Sequence, residues 1–401
     1  MIYFDQKEQY SRCVRCGKCR SVCPVFNELY EEGASPRGRI ALIEALSAHA
    51  LGPSARSKQL VSQCLLCMAC VGVCPNGVQT DQLIMFAREQ LADERGQRLL
   101  EAALTEVVFS RPSASFKLAS IAEHAAGSRL RNDSGIFYRL PAGRVVPDIK
   151  DGPFSRAENN RYRKKTKTGF FLGCLINFIN HDVAEDTIRL LEMQGKEPYI
   201  PIDQGCCGLP ALSMGNTGKA ALQARAVMEL FDDADTVVTS CASCGSMLKN
   251  YYTLLFDAPE DRQKAAAFSR KIKDISEIID PAPFRQDKHD GQVVTYHDPC
   301  HLTRGMGVSD TPRSLLRKAG YRIAEMKEPD RCCGLGGAFS LKHRALSSAI
   351  TRHKLDDIKQ TGASIVATGC PGCMANIACT AAEQGVDVEV VHTVTLLARS
   401  L

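Results

Sequence analysis

Hydrophobic and polar positions follow two different periodicities along this chain of 401 residues. In the N-terminal quarter, apolar residues recur every three or four positions, as in 39–46 and 83–88, which predicts helices. From residue 168 onward, short apolar runs alternate with helical segments, and this alternation predicts parallel α/β units. The predicted strands are 168–174, 197–202, 234–240, 293–296, 321–324 and 363–368.

Each of these strand-like runs ends at a cysteine or leads into one. The first three runs are followed by Cys174, Cys206, Cys207, Cys241 and Cys244, and the last three by Cys300, Cys332, Cys333, Cys370 and Cys373. The first three positions shift by 126 residues (174 to 300) and the last two by 129 (241 to 370), so we infer an internal duplication. Because loops beyond the carboxyl ends of parallel strands converge on one rim, we expect the five thiols of each copy to lie together.

Five thiols are more than a tetrahedral zinc ion binds. Thiolates suit iron, and we therefore expect an iron–sulfur cluster, larger or more open than a simple cubane, in one or both copies. A zinc ion plus one free thiol is the alternative. Gly208 and Gly334 follow the cysteine pairs, where a glycine would let the backbone pass close to a metal or a substrate.

The N-terminal region carries a different cysteine motif, C-x₂-C-x₂-C-x₃-C-P, at 13–24 and again at 64–75. Three thiolates spaced in this way wrap one cubane cluster, while the fourth binds the neighbouring cluster. One [4Fe–4S] cluster is therefore assigned to Cys13, Cys16, Cys19 and Cys74, and the other to Cys64, Cys67, Cys70 and Cys23. A pair of zinc sites is the alternative, although zinc favours paired C-x-x-C units.

Two arginines, Arg37 and Arg39, stand at the start of the helical segment between these motifs. The simpler interpretation is a capped helix start with exposed arginines. The other is that both side chains donate hydrogen bonds near a cluster or to an acidic surface of a partner.

Composition restricts what the 19 cysteines can do. With 44% hydrophobic and 24% charged residues, a chain of this length forms two or three domains with a real core, so disulfide staples are not required. No apolar run of signal-peptide type follows Met1, and no stretch is long enough to span a bilayer. We therefore predict a cytoplasmic protein, in which cysteines are metal or redox groups. A net charge of +5 gives no reason to expect nucleic-acid binding.

The predicted fold class is α+β and multidomain. A helical ferredoxin domain with two clusters occupies 1–95, a helical connector and linker 96–166, and the duplicated α/β cysteine domains 167–290 and 291–401. Within the connector, a broad apolar helix face is formed by Leu99, Leu100, Ala103, Leu104, Val107 and Val108. A basic run across the end of the connector covers Arg161, Arg163, Lys164, Lys165 and Lys167. In the simpler interpretation, the apolar face is packed core and the basic run is a solvated linker. In the other, both form a peripheral contact with the inner face of the cell membrane.

The spacings C-x₃₁-CC-x₃₃-C-x-x-C at 174–244 and C-x₃₁-CC-x₃₆-C-x-x-C at 300–373 resemble the paired cysteine-rich "CCG" domains of heterodisulfide reductase and related iron–sulfur subunits. The helical spacer between the N-terminal motifs is similar to the helical ferredoxin module of succinate dehydrogenase iron–sulfur subunits. The whole arrangement resembles the iron–sulfur subunits of glycolate oxidase and of anaerobic glycerol-3-phosphate dehydrogenase, and the corresponding subunit of membrane-linked heterodisulfide reductase. Ser-Pro-Arg-Gly-Arg-Ile at 35–40 is most similar to the glycolate oxidase group, whereas the complete second set of five cysteines departs from it.

This resemblance implies an oxidoreductase of several subunits, in which the present chain transfers electrons. A FAD-containing dehydrogenase partner would oxidise a 2-hydroxy acid such as glycolate or lactate, or glycerol 3-phosphate, and the electrons would pass to quinone or to a membrane subunit. No G-x-G-x-x-G follows a predicted strand, so we expect no flavin or NAD site on this chain.

The competing hypothesis is that this chain is the catalytic subunit of a heterodisulfide reductase-like thiol/disulfide oxidoreductase that uses the clusters of its CCG domains. His297 and His301 flank Cys300 and are candidate catalytic proton donors in such a step. Alternatively, they only hydrogen-bond loop carbonyls. A zinc scaffold without redox function is a third possibility, which a colourless preparation rich in zinc would indicate.

Overall fold

A computed structural model describes residues 5–95, 137–139, 145–147, 150, 152–157, 161–289 and 291–401. Residues 5–95 form a helical domain, as the sequence predicts. Its helices are α1 (Gln6–Ser11), α2 (Lys18–Ser21), α3 (Pro24–Leu29), α4 (Pro36–Ser47), α5 (Ala55–Ser62), α6 (Ala69–Gly72) and α7 (Thr80–Arg95), with a 3₁₀ turn at Glu32–Ala34.

The helix starts follow from local sequence. The hydroxyl of Ser35 accepts a hydrogen bond from the Gly38 amide at 3.0 Å, and Pro36 fills the first helical position of α4. In α3 the cap is Cys23, whose sulfur accepts from the Phe26 amide at 3.5 Å. One of the expected cluster ligands is therefore fixed at a helix N-terminus.

Described segments between residues 137 and 163 are short. They are the antiparallel pair β1 (Phe137–Arg139) and β2 (Val145–Pro147), helix α8 (Phe154–Ala157) and a 3₁₀ turn at Arg161–Arg163. The apolar face expected at 99–108 lies outside the described residues. In the basic run that follows, Lys165 and Lys167 form exposed ion pairs with Asp233 and Asp235.

None of the helices that the structure describes is both long enough and apolar enough to cross a membrane.

The rest of the chain folds into two α/β units. The first contains β3 (Thr168–Phe170), α9 (Gly173–Phe178), α10 (His181–Met193), β4 (Pro198–Tyr199), α11 (Leu209–Ser213), α12 (Thr217–Leu230), β5 (Thr236–Thr239), α13 (Ala242–Ser246), a π-helical turn (Met247–Tyr251), 3₁₀ turns (Tyr252–Leu255, Ile275–Glu277), α14 (Pro259–Arg270) and β6 (Ile272–Asp274). The second contains a 3₁₀ turn (Gln286–Lys288), β7 (Val293–His297), a π-helical turn (His301–Met306), α15 (Asp310–Lys318), β8 (Arg322–Ile323), α16 (Phe339–Lys342), α17 (Arg344–Gln360), β9 (Ile365–Thr368), α18 (Pro371–Glu383), β10 (Glu389–His392) and α19 (Thr393–Arg399).

Each unit is built on a four-stranded parallel sheet. The strand orders are β4-β3-β5-β6 and β10-β9-β7-β8, which is the same topology twice. The α+β fold class is therefore confirmed, while the exact domain limits stay a prediction. The edge strands β6 (Ile-Lys-Asp) and β10 (Glu-Val-Val-His) are absent from the sequence prediction, because charged or polar residues stand beside their few apolar ones.

The carboxyl ends of the first and third strands of each unit carry cysteines. Cys174 and Cys241 follow β3 and β5, while Cys300 and Cys370 follow β7 and β9. These paired strands are adjacent in their sheets, and ligands of open α/β sheets bind where such strands end. The fold thus places both cysteine sets at sheet rims.

Candidate metal centres

The two N-terminal cysteine loops have the same backbone shape. Arg15 and Gly17 of the first loop have φ of 56° and 86°, and Leu66 and Met68 of the second have φ of 56° and 57°. Left-handed residues alternating with cysteines turn the chain around a single centre. Sequence reasoning did not detect this conformation, since three of the four residues are not glycine.

The structure distributes the eight N-terminal cysteines into two groups. A cavity of about 30 Å³ is lined by Cys13, Cys16, Cys19 and Cys74, together with Cys70. Cys23 lies instead beside Cys64 and Cys67, and the Cys70 thiol interacts with all three. Cys74 thus lies near the first motif and Cys23 near the second, while the assignment of four ligands to each cluster stays a prediction.

Arginines hold these loops. The guanidinium of Arg37 donates to the carbonyl of Arg15 at 2.9 Å, inside the first loop. Arg39 is 2% exposed and donates to the carbonyls of Leu60 and Gln63, at 2.8 and 3.1 Å, just before Cys64. The interpretation of exposed arginines was wrong for Arg39, because the carbonyls at the end of α5 lack helical partners and take its donors instead.

The five cysteines of the first α/β unit lie in a row of interacting thiols. Cys174 interacts with Cys206, Cys206 with Cys207, Cys207 with Cys244, and Cys244 with Cys241. Gly173 is needed here, because a Cβ at this position would lie 2.7 Å from the sulfur of Cys244.

The second unit repeats the row. Cys300 interacts with Cys332, Cys332 with Cys333, and Cys373 with Cys370, while the sulfurs of Cys333 and Cys373 are 3.3 Å apart. The five thiols of each copy therefore lie together, as expected.

The structure also joins the sets to one another, which the sequence did not predict. The thiol of Cys67 in the N-terminal domain interacts with Cys332, and Cys241 of the first unit interacts with Cys370 of the second. A continuous line of sulfur neighbours thus runs from the N-terminal domain through the second unit to the first. No spacing within one motif carries information about these contacts.

Gly208 and Gly334 have φ of 94° and 92°, which a glycine adopts without strain. The close approach that they permit is to a packing helix. A Cβ at 208 would lie 3.3 Å from the carbonyl of Ala220, and one at 334 would lie 2.6 Å from the hydroxyl of Thr351. Their role is therefore to seat the cysteine pair against α12 or α17.

Burial and crowding perturb the protonation of the thiols. Hydrogen bonding with Cys332, together with burial, raises the pKa of Cys67, and burial raises the pKa of Cys70. Hydrogen bonds from Cys206 and Cys244 lower the pKa of Cys207 to about 6. Buried sulfur anions need a cation beside them, and thiolates ligate metal when deprotonated. The donor set therefore fits iron–sulfur clusters.

The two histidines beside Cys300 are in different surroundings. Nδ1 of His301 is 3.3 Å from the hydroxyl of Ser243, which is 3.4 Å from the sulfur of Cys370. His297 is fully buried, and an imidazole nitrogen lies within 4.8 Å of the sulfurs of Cys333 and Cys373. Burial lowers the pKa of both histidines, that of His297 to about 3, so both are neutral near pH 7.

Comparison with known proteins defines the class. The cysteine-rich domain family matches residues 168–249 and 294–378, and the 4Fe-4S dicluster domain family matches residues 9–78. A hypothetical protein from Helicobacter pylori of known crystal structure has a similar fold, with a TM-score of 0.57 at 9% identity over 100% of this chain and 73% of that chain. This molecule is thus an iron–sulfur protein with a dicluster domain and two cysteine-rich domains.

The "Probable glycolate oxidase iron-sulfur subunit" of Bacillus subtilis (strain 168) is 33% identical over 96% of this chain and 92% of that protein. The "Lactate utilization protein A" of Oceanobacillus iheyensis is 32% identical over 58% of this chain and 96% of that protein. An uncharacterized iron-sulfur protein of Methanococcus maripaludis is 30% identical over 90% of this chain and 66% of that protein. The chain belongs to the family of iron–sulfur oxidoreductase subunits that includes the B. subtilis protein, which confirms the resemblance inferred from the cysteine spacings.

Proposed function

We propose that this chain is the electron-transfer subunit of a flavoprotein dehydrogenase that oxidises a small 2-hydroxy acid, glycolate or lactate, or glycerol 3-phosphate. A FAD-containing partner subunit carries out the oxidation, and the electrons leave toward quinone or a membrane subunit. The proposed location is cytoplasmic, with peripheral contact at the inner face of the membrane where the acceptor lies. The names of the B. subtilis and O. iheyensis relatives favour the two hydroxy acids.

The observation that carries this proposal is the line of sulfur neighbours through all three domains. Two [4Fe–4S] clusters are assigned to the N-terminal cysteine groups, one to Cys13, Cys16, Cys19 and Cys74 and the other to Cys64, Cys67, Cys70 and Cys23. One or two further clusters, non-cubane in type, are assigned to the two sets of five. When bound, such clusters accept and release single electrons.

The chain's own residues position and insulate these groups. Arg88 of α7 donates to the carbonyl of Cys64 at 2.6 Å and to that of Ser213 in the first α/β unit, also at 2.6 Å. Arg304 of the second unit donates to the carbonyl of Cys67 at 3.4 Å. Both arginines therefore fix the second N-terminal loop against the α/β units, where burial keeps water from the sulfurs.

The proposal is tested on the native complex, isolated without oxygen. We expect mass spectrometry to identify a FAD-linked dehydrogenase that co-purifies with this chain. Glycolate, lactate or glycerol 3-phosphate should then produce the EPR signals of reduced clusters in the complex, but not in this chain alone. A complex that contains no flavoprotein, or clusters that none of the three substrates reduces, would overturn the assignment.

A second candidate function rests on the junction between the two sets of five. The hydroxyl of Ser243 connects the ring of His301 to the sulfur of Cys370, next to Cys241. In a thiol/disulfide oxidoreductase, His301 would exchange a proton with a substrate sulfur through this connection. His301→Gln should then keep its iron and sulfide but lose turnover with disulfides, and unchanged turnover would remove this candidate.

A further inference from the structure

The duplication is not symmetric at the residue after Phe170 of β3 and at its counterpart, which is the last residue of β7. The 126-residue shift aligns His297 with Phe171. The sheet registers agree, since Phe170 pairs with Val238 and Tyr296 pairs with Ala367. Both aligned side chains are fully buried. One copy therefore has an imidazole ring where the other has a phenyl ring.

The imidazole faces sulfur. One ring nitrogen of His297 and the sulfurs of Cys333 and Cys373 all lie within 4.8 Å of one another. In the first unit, the Cβ position at Gly173 is 3.6 Å from the Phe171 ring and 2.7 Å from the sulfur of Cys244, which is the counterpart of Cys373. Phe171 thus lies on the same side of Gly173 as this cysteine region, but a phenyl ring cannot bind a metal, whereas His297 can.

His297 has no ordinary polar partner in the described part of the chain. Neither ring nitrogen forms a hydrogen bond of normal length and angle. The Pro329 carbonyl is near enough to influence the ring, but it already accepts from the Asp298 amide at 3.0 Å and from the Lys354 ammonium at 3.2 Å. Leaving a buried polar group unpaired is unfavourable, and a metal ion bound to the ring would give it a partner.

The residue that follows His297 and the facing loop are both fixed by polar contacts. Asp298 forms a bidentate ion pair with Arg313, at 2.7 and 2.8 Å, directly after the histidine. The ammonium of Lys354 donates hydrogen bonds to the carbonyls of Glu328 and Pro329 in the loop that faces His297.

We propose that His297 is a nitrogen ligand of the metal centre held by Cys300, Cys332, Cys333, Cys370 and Cys373. This centre then has both nitrogen and sulfur ligands, whereas the centre in the first unit is bound by thiolates alone. This inference rests on the proposed function only in assigning a metal centre to each set.

The expected consequence is a difference in reduction potential. An imidazole adds no negative charge, and histidine ligation raises the potential of iron–sulfur centres relative to thiolate ligation. Nearby cations also raise the reduction potential of this centre, since Lys354 interacts with Cys333, and Arg304 interacts with Cys300 and Cys332. The centre in the second unit is therefore easier to reduce than the centre in the first.

The test is pulsed EPR of the full chain, purified anaerobically and reduced in steps. We expect a ¹⁴N coupling of ligand strength on one signal, replaced by a ¹⁵N coupling when histidine is isotopically labelled. In His297→Phe, which copies the residue of the first unit, this coupling disappears and the signal moves to lower potential. The signals of the N-terminal clusters, whose assigned ligands are other cysteines, serve as the internal control.

If His297→Phe does not fold, a second variant, His297→Cys, provides the test. His297→Cys restores a ligand, so it should recover wild-type metal content while still lacking the nitrogen coupling. If the second set binds zinc, X-ray absorption at the zinc edge should show one nitrogen among the sulfurs. An all-sulfur shell, or a signal whose coupling and potential are the same in His297→Phe, would overturn the proposal. Neither result depends on which partner or substrate the complex has.

Discussion

Buried charges in this protein are matched to particular acceptors and donors. The guanidinium of Arg39 and the ammonium of Lys354 both donate to backbone carbonyls near the cysteine loops. Asp274, at the end of β6, is buried too, and its carboxylate accepts from the amide and hydroxyl of Ser276. Desolvation nonetheless raises the pKa of Asp274 to about 6.

The raised pKa of Asp274 predicts a pH dependence of stability. The native carboxyl binds its proton more tightly than the unfolded one, so its favourable contribution is complete below about pH 4 and is lost as the pH rises through 6. Asp274→Asn should remove a penalty of about 3 kcal/mol at pH 7, of which about 1 kcal/mol develops between pH 5 and 7. The measurement is the unfolding midpoint of the cluster-loaded protein at both pH values.

Asp280→Asn is the matched control for this residue. Asp280 also caps an amide two residues later, that of Ala282 at 3.0 Å, but it is exposed. The control removes an exposed carboxylate, so the pH dependence that comes from burial is the difference between the two variants. An equal effect of pH on both variants would contradict the assigned origin of the pKa shift.

At the scale of elements, the contact between the two α/β units depends on glycine. The helix α13, which follows Cys241, packs on the π-helical turn that follows Cys300. A Cβ at Gly305 of that turn would lie 2.3 Å from the hydroxyl oxygen of Ser246 and 2.8 Å from its Cβ. This close approach brings Cys241 and Cys370 together.

Gly305→Ala should therefore separate the units or strain them. We expect a loss of about 1–3 kcal/mol in the free energy of unfolding, as for other overpacked interiors. The control is Gly218→Ala in α12, where a Cβ meets nothing within 4 Å and alanine should stabilise the helix by about 0.5–1 kcal/mol. Thermal unfolding of both variants measures the difference, and a neutral Gly305→Ala would show that the units are not held at this contact.

At the scale of the whole molecule, the second N-terminal cysteine loop is the point where three domains meet. Arg88 reaches the carbonyls of Val61, Ser62 and Cys64 on one side and Ser213 on the other. Tyr251 of the first unit donates to Asp81 of α7 at 2.7 Å. These polar contacts position the dicluster domain on the α/β units.

Replacing Arg88 by lysine tests this arrangement. Lysine keeps the charge but lacks the planar fork, so it cannot reach four carbonyls at once. Arg88→Lys should lower the free energy of unfolding by about 2–3 kcal/mol and expose the junction to limited proteolysis. Arg12→Lys, at an exposed ion pair with Glu8, should change stability by less than about 1 kcal/mol. Equal stability of the two variants would mean that Arg88 does not join the domains.

The domain types, the duplication and the sets of cysteines could be predicted from the amino-acid sequence, because ligand spacing and apolar periodicity are local properties of the chain. It also predicted the parallel sheets, although it missed β6 and β10. Which sets touch each other was decided by the tertiary structure alone: the contacts of Cys67 with Cys332 and of Cys241 with Cys370 join residues far apart in sequence. The burial of Arg39 and the position of His297 between two cysteines have the same origin, since packing between elements decides which side chains lose water and which atoms they meet.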